Sequence, residues 1–527
     1  MVDVTTESGR WDAFPDQILD FLRQDVTDLV VNGQDVRGYR SPDNPALWIR
    51  DHSDIMRGGQ YVLDDVTSAV TAFADAQAAN GRIYDFVTTA SESGEPENWE
   101  KWVRIPVEAD VEYRFVKAAY LAWQATGDDA WVADVLPALD RALTYTCTHP
   151  QRWHEESGLV RRPYTIDTWD FDYTAGRGEG LNFQVTDETF WGLFHGDNSG
   201  VYEAARLLAH LHRATGRTER AAVWEAKADT LRQRANERLF NGRFYTHFDA
   251  LTPVSIEGVD ESEQLSLSNP MAINRGLATH DIAVSILDEY RRRRETTEAF
   301  AEWFSIDPPF PPSTFGSEKL TPGTYVNGGI MPLVGGELAR AAFGHGYETY
   351  GTDTLAQYRD RIAETGETYL WYFPDGSPST QEASTSPDAM PTDGWGASAM
   401  LYAFVEGLCG VNDRGHSLNR IELAPRWVAS GEERAEVAVS YAASGAAVGY
   451  RYRHRPGRQC IDLEVTEGRA ETDLHVLLPK GTTPTSLTRN GQPVEHESTV
   501  VEGSPYADAT VHVESGTVLR VEYATPP

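Results

Sequence analysis

The sequence predicts a mostly helical toroid followed by a β-rich domain, and three observations carry that expectation. Up to about residue 412, paired helical patterns recur. The segments joining them are long and rich in Trp, Tyr, Asp and Gly. Near residue 413 the texture changes to short runs with alternating apolar and polar residues.

Along the chain, helices are expected at roughly 12–31 and 57–79. The clearest hairpin spans 107–145, where Val107, Val111, Phe115, Ala118 and Ala122 share one helical face. Gly127 stands where a left-handed C-terminal cap is needed, and Asp128 and Asp129 can cap the helix that follows. The pattern returns over 199–240, with Ala-Thr-Gly at 214–216 closing the first helix. A third hairpin is expected over 335–367 with Gly344 and Gly346 at its turn, and further helices at 272–297 and 394–410.

Repeated αα-hairpins build either an open solenoid or a closed toroid. Long aromatic loops in a chain of this size favour closure and an enzyme, since a scaffold solenoid has short, monotonous turns. After residue 413, AEVAVSY, AAVGYRYRHR, QCIDLEV, DLHVLLP, TVHVE and TVLRVEY read as half-buried strands, with Asn490-Gly491 as a hairpin turn. The expected division is therefore 1–412 for the helical domain with a short N-terminal arm, and 413–527 for an antiparallel β-sandwich.

Composition bounds the function. The chain carries 80 acidic and 46 basic residues, a net charge of -34, with only five lysines. An acidic, lysine-poor surface suits a halophile's cytoplasm, where salt screens the self-repulsion. The same charge argues against nucleic acid as a partner, because phosphate binding needs a basic patch. Arg291–Arg294 is a lone basic run, read as the solvated end of a helix. Cys147, Cys409 and Cys460 are scattered and odd in number, which fits a reducing compartment and neither a disulfide framework nor a zinc knuckle. No apolar run approaches the ~18 residues of a membrane span, and the N-terminus is polar and acidic rather than signal-like, so a cytoplasmic location is expected.

Four loops concentrate polar and aromatic groups. In Pro45-Ala-Leu-Trp-Ile-Arg-Asp-His-Ser-Asp54, Arg50 offers a fork of donors and Asp51 an acceptor, a pair suited to vicinal sugar hydroxyls, beside the face of Trp48. In Tyr164-Thr-Ile-Asp-Thr-Trp-Asp-Phe-Asp-Tyr173, Asp167, Asp170 and Asp172 alternate with aromatic residues that would desolvate a carboxyl and keep it protonated near neutrality. Turn chemistry or a calcium site is the competing reading of that loop. Asp197 and Asn198 open the next helix as caps or substrate contacts. Glu382 lies among hydroxyl residues just before the last helix, and Asn327 sits in a turn of small residues, oriented toward the cavity.

Two facing carboxyl groups are what glycoside hydrolysis requires, one protonated for the leaving group and one ionised. No G-x-S-x-G, H-E-x-x-H or P-loop is present, and the histidines are scattered, so neither metal nor cofactor is expected.

The hairpin run, Trp48-Ile49-Arg50-Asp51, and the final GWGASAMLYAFVEGLCGV helix leading into strands resemble the six-hairpin glycosidase superfamily. That resemblance implies an (α/α)6 barrel with Arg50 and Asp51 holding the nonreducing sugar. Its general acid follows a tryptophan, which points to Asp170 after Trp169; the family usually has Glu there, so Asp167 and Asp172 stay open. Its general base maps onto Glu382, although the usual Glu-Gln order is reversed in Gln381-Glu382. The segment NRIELAPRW (419–427) is more similar to rhamnosidases and phosphorylases. The implied activity is an inverting, exo-acting hydrolase of α-linked glycosides, with Trp48, Trp169 and Trp395 as stacking walls and carbohydrate as partner. An inverting disaccharide phosphorylase and a non-catalytic sugar-binding toroid are the alternatives.

Overall fold

The computed structural model describes residues 1–41, 46–89, 99–102, 109–169, 171, 173, 185–315, 317–384 and 394–525. Twelve of its helices carry the architecture: α1 (Phe14–Gln24), α2 (Ile49–Gly59), α3 (Ser68–Asp75), α4 (Val111–Thr126), α5 (Asp129–Thr148), α6 (His195–Ala214), α7 (Thr218–Leu239), α8 (Ser268–Asn274), α9 (His280–Thr296), α10 (Pro332–Gly344), α11 (Glu348–Thr365) and α12 (Gly394–Tyr402). The even-numbered helices pack in sequence, α2 on α4, α4 on α6, α6 on α8, α8 on α10 and α10 on α12, and α12 returns to α2. The odd-numbered helices lie against this set: α1 on α2 and α12, α3 on α4 and α5, α5 on α4 and α6, α7 on α6, α9 on α8 and α10, and α11 on α10.

Local chemistry explains the hairpins. Gly127 adopts φ 69° at the end of α4, and the Asp128 side chain accepts from Trp131 N at the start of α5. Where α10 meets α12 the backbones come close: a Cβ on Gly336 would lie 2.5 Å from the Ala399 carbonyl carbon. Only glycine permits that approach.

Three helix expectations are corrected. Residues 12–31 hold α1 and then the strand Val26–Val31, which pairs with Gln34–Tyr39 around Asn32-Gly33, both at positive φ. The Asn-Gly turn and β-branched alternation outweigh helix continuation there. The helix expected at 57–79 is two helices; α2 begins at Ile49, earlier than expected, and the Asp65 side chain accepts from Thr67 N and Ser68 N to start α3. Residues 272–297 are also two helices, parted by Gly276 at φ 81°, with Thr279 capping α9.

The C-terminal strands form two sheets. One runs in the order 2–6, 434–440, 447–455, 460–467, 518–524, 483–489, 492–493; the other runs 411–413, 420–423, 469–477, 504–514, 497–501. Strands 460–467 and 483–489 of the first sheet touch 504–514 of the second, with Leu463, Val465 and Leu487 of the first and Ala507, Val511 and Val513 of the second buried. Two findings differ from the expected arrangement. Residues 2–6 of the N-terminal arm pair antiparallel with Arg434–Ser440, so the arm belongs to this sheet and not to the helical part. Strand 420–423 runs parallel to 469–477, while the other paired strands among the described residues are antiparallel. The Asn490-Gly491 turn joins Arg489 to Gln492 as expected.

Among the described residues no helix is long and apolar enough to cross a membrane, and no group of three or more His, Cys, Asp or Glu side chains is placed to hold a metal ion.

Candidate active site

All eleven residues of α2 are buried, its polar ones included. Such a helix must satisfy its charges inside the protein, and the N-terminal ends of α2, α4 and α6 do so with paired arginines and aspartates. Arg50 on α2 donates Nε to Asp110 at 2.8 Å and Nη2 to the other oxygen at 3.0 Å. Arg114, one turn along α4, pairs with Asp54 and lies 3.7 Å from Asp110. Arg162, on strand Leu159–Pro163, meets both oxygens of Asp197 in the first turn of α6 at 3.3 Å.

These pairs set the protonation of the site. Burial alone would raise the Asp110 carboxyl, but the facing charges of Arg50, Arg114 and Arg162 outweigh it and bring it down to about 2. Asp197 goes the other way. Burial pushes it up to about 6 against the pull of Arg162, and Asp110 adds repulsion. Asp54 feels the same burial, yet Arg114, Arg57 and Arg275 hold it below the usual carboxylate range.

An aromatic layer covers the pairs. Trp395, in the first turn of α12, donates Nε1 to Asp54 at 2.8 Å. Its ring lies 5.5 Å from that of Trp169. Trp169 in turn donates Nε1 to the Tyr325 hydroxyl at 2.9 Å, and its own carbonyl accepts from Arg162 at 2.8 Å. Tyr325 also faces Trp371, with ring centroids 6.5 Å apart. The Trp371 carbonyl accepts from Ser379 N, which leads directly into the loop bearing Glu382.

The structure thus brings Arg50, Asp51, Trp169, Asp197 and Trp395 to one end of the inner helices, all buried. Trp48 is the residue just before α2, and its ring stacks on Phe86 at 4.3 Å, so that face is already covered. Glu382 is exposed; hydrogen bonds from its own backbone N–H and then from Thr380 hold its carboxyl low, with Lys319 adding attraction. Asp170 and Asp172 lie outside the described residues.

Three expectations change. Asp167, held at φ 50°, accepts from Thr168 N at 2.6 Å and from Ser268 Oγ at 2.7 Å and Ser268 N at 3.2 Å, so its carboxylate ties the loop to the start of α8. With its oxygens engaged by these donors and 1% exposure, it is placed to position the loop rather than to move a proton. Asn327 does not present its amide to the cavity: Oδ1 accepts from Phe310 N, and Nδ2 donates to the Phe310 and Leu320 carbonyls. Asp197 is buried under the Arg162 guanidinium and reaches the site through it.

Asp54, Asp110, Arg114, Arg162 and Tyr325 were missed. Asp110 and Arg114 have the i,i+4 spacing of a helical ion pair, the one local signal available. A further carboxyl, Glu261, is half-buried and raised to about 7 chiefly by burial, and accepts from the Tyr164 hydroxyl at 2.7 Å.

No family model and no curated protein matches the sequence. Solved structures match in fold. An α-L-rhamnosidase from Streptomyces avermitilis, complexed with L-rhamnose, is 14% identical with a TM-score of 0.57, over 99% of this chain and 42% of that one. A GH78 rhamnosidase of a Bacillus species is 16% identical with a TM-score of 0.56, over 90% of this chain and 42% of that one. A GH63 mannosylglycerate hydrolase from Thermus thermophilus is 14% identical with a TM-score of 0.52, over 74% of this chain and 99% of that one. The chain shares their fold. These neighbours are members of the six-hairpin glycosidase superfamily. The chain spans less than half the length of these two rhamnosidases and nearly the whole of the hydrolase.

Proposed function

We propose that this chain is an inverting, exo-acting glycoside hydrolase of α-linked substrates, built on an (α/α)6 barrel with a β-sandwich appended. The observation that carries the reading is the closed sequence of inner helices whose N-terminal ends gather Arg50, Asp51, Trp169 and Trp395 over buried Arg–Asp pairs. Likeness to rhamnosidases and to a mannosylglycerate hydrolase supports the same fold and, with it, a carbohydrate substrate.

Arg50 and Asp51 bind the terminal sugar, and Trp169 and Trp395 wall it. Asp170 donates the proton to the leaving oxygen, and Glu382 activates the attacking water on the opposite face. Trp169, the residue before Asp170 in the chain, has its indole N–H and carbonyl both held. Glu382, ionised and exposed, has the charge state of a base. Such a pair stands about 6.5–9.5 Å apart in inverting enzymes. The protein acts in a salt-rich cytoplasm, which the charge of -34 supports. Its domains divide near residue 412, with residues 2–6 joining the C-terminal part.

The test is a panel of aryl α-glycosides, α-L-rhamnosides and mannosylglycerate in molar KCl, with the product anomer read by NMR. Inverted product supports the reading; retained anomeric configuration overturns the mechanism. Sugar-1-phosphate release that depends on phosphate identifies a phosphorylase instead, and tight binding without turnover identifies a binding protein.

A further inference from the structure

Below the aromatic layer, one to two turns along the inner helices, lies a separate cavity of ≈ 20 Å³ lined from all six. Four cationic side chains face it, Arg57, Arg114, Lys117 and Arg275, against three carboxylates, Asp54, Glu203 and Glu337. Each carboxylate is already engaged. Asp54 pairs with Arg114, Glu337 with Arg57 and Asn274, and Glu203 with Lys117 and, at 3.8 Å, with Arg275. The lining thus holds four cations to three carboxylates, with Asp110 a further 3.7 Å from Arg114 just outside it.

Three donors at this cavity are also unused. Arg57 Nη2, Arg114 Nε and the Tyr113 hydroxyl, on residues 6%, 2% and 2% exposed, have no hydrogen-bond acceptor among the described residues. The Tyr113 ring itself lies beneath both Arg114 and Arg275, each guanidinium 5.3 Å from its centroid, so its hydroxyl sits within the cationic wall. Burying a guanidinium N–H without an acceptor is costly. A single monovalent anion removes that penalty, because it accepts from several donors at once. The volume suits a small anion: ≈ 20 Å³ is enough for a water-sized particle. Lys117 and Glu203, 16% and 17% exposed, are the most exposed charged side chains of the lining.

We propose that this cavity is a binding site for one halide ion, chloride in the cell, held by Arg57 and Tyr113 within the ring of inner helices. It is independent of the glycosidase reading, since Arg50, Asp51, Trp169, Glu382 and Trp395 are not in its lining. By bracing Arg57 and Arg114, the ion steadies Asp54, which holds Trp395.

The experiment is to crystallise the full chain from potassium bromide and collect anomalous data at the bromine edge, alongside melting curves in potassium bromide, chloride and gluconate at equal ionic strength. The expected result is a bromine peak in contact with Arg57 Nη2 and Tyr113 Oη, and a melting temperature several degrees higher in either halide than in gluconate. Tyr113→Phe keeps the ring and removes the hydroxyl; it is expected to melt like wild type in gluconate and to lose most of the halide increment. Ordered solvent without anomalous signal in the cavity, bromine only at the protein surface, or equal melting in halide and gluconate overturns the proposal. If Tyr113→Phe does not fold, the wild-type bromine map decides alone.

Discussion

Arg50 grips both carboxylate oxygens of Asp110, Nε at 2.8 Å and Nη2 at 3.0 Å, and so locks the first turn of α2 to the residue that opens α4. Both side chains are almost entirely buried, 8% and 0% exposed. Removing one partner of such a pair strands the other charge, whereas replacing both by apolar groups need not destabilise. Asp110→Leu is therefore expected to cost about 3–5 kcal/mol in urea unfolding. Arg50→Met with Asp110→Leu is expected to recover most of that loss while activity stays low. A single variant as stable as wild type would show that the pair does not hold the two helices together.

Asp197 gives a pH dependence of known sign. Its native carboxyl is raised to about 6 from an ordinary value near 3.8. Its contribution to stability is therefore fully present below pH 3.8 and is lost as pH rises through 6, a change of about 3 kcal/mol. Asp110, lowered to about 2, contributes oppositely, and that contribution is lost only as pH falls toward 2. Thermal melts between pH 4 and 7 should show wild type declining more steeply than Asp197→Asn, which keeps the Arg162 contact without the titration. Parallel slopes would remove Asp197 as the cause.

Asp170→Asn and Glu382→Gln are each expected to cut hydrolysis by about two to four orders of magnitude with melting temperatures close to wild type. Asp167→Ala should behave differently: loss of the cap on α8 is expected to cost about 1–2 kcal/mol, with a smaller fall in rate. Steady-state kinetics and calorimetry on the three variants separate these patterns. Wild-type turnover in Glu382→Gln would point to a phosphorylase, and an intact rate in Asp170→Asn would move the acid to Asp172 or Glu261.

Tyr325→Phe removes the acceptor of the Trp169 indole N–H. A buried bond of this kind contributes about 1 kcal/mol net, so a fall in kcat of roughly fivefold is expected, with KM changed less. Circular dichroism should be unaltered. An unchanged kcat would mean that Trp169 is held by its carbonyl bond to Arg162 alone.

Much of the fold was legible because it is written locally. Gly127 and Asp128 fix the turn between α4 and α5, and Ala-Thr-Gly closes α6, whatever surrounds them. The strands beyond residue 413 follow from period-two alternation. Helix limits were harder where an inner helix buries its polar side as well. All of α2 is buried, Arg50, Asp51 and Asp54 included, and these charged residues at its start read locally as a polar loop. The Asn32-Gly33 hairpin was present in the sequence but was overrun by a helix carried too far.

The sequence alone determined the hairpin repeat, the change to strands near residue 413, the acidic character and the aromatic loops, because each depends on neighbours a few residues away. Only the tertiary structure decided which arginine answers which aspartate. Arg50 meets Asp110 across 60 positions, Trp395 meets Asp54 across 341, and Val2 pairs with Val439 in the sheet. The pull of a buried charge depends on distance through the fold rather than along the chain. For that reason Asp110 and Asp197, alike in sequence, are driven to opposite protonation behaviour.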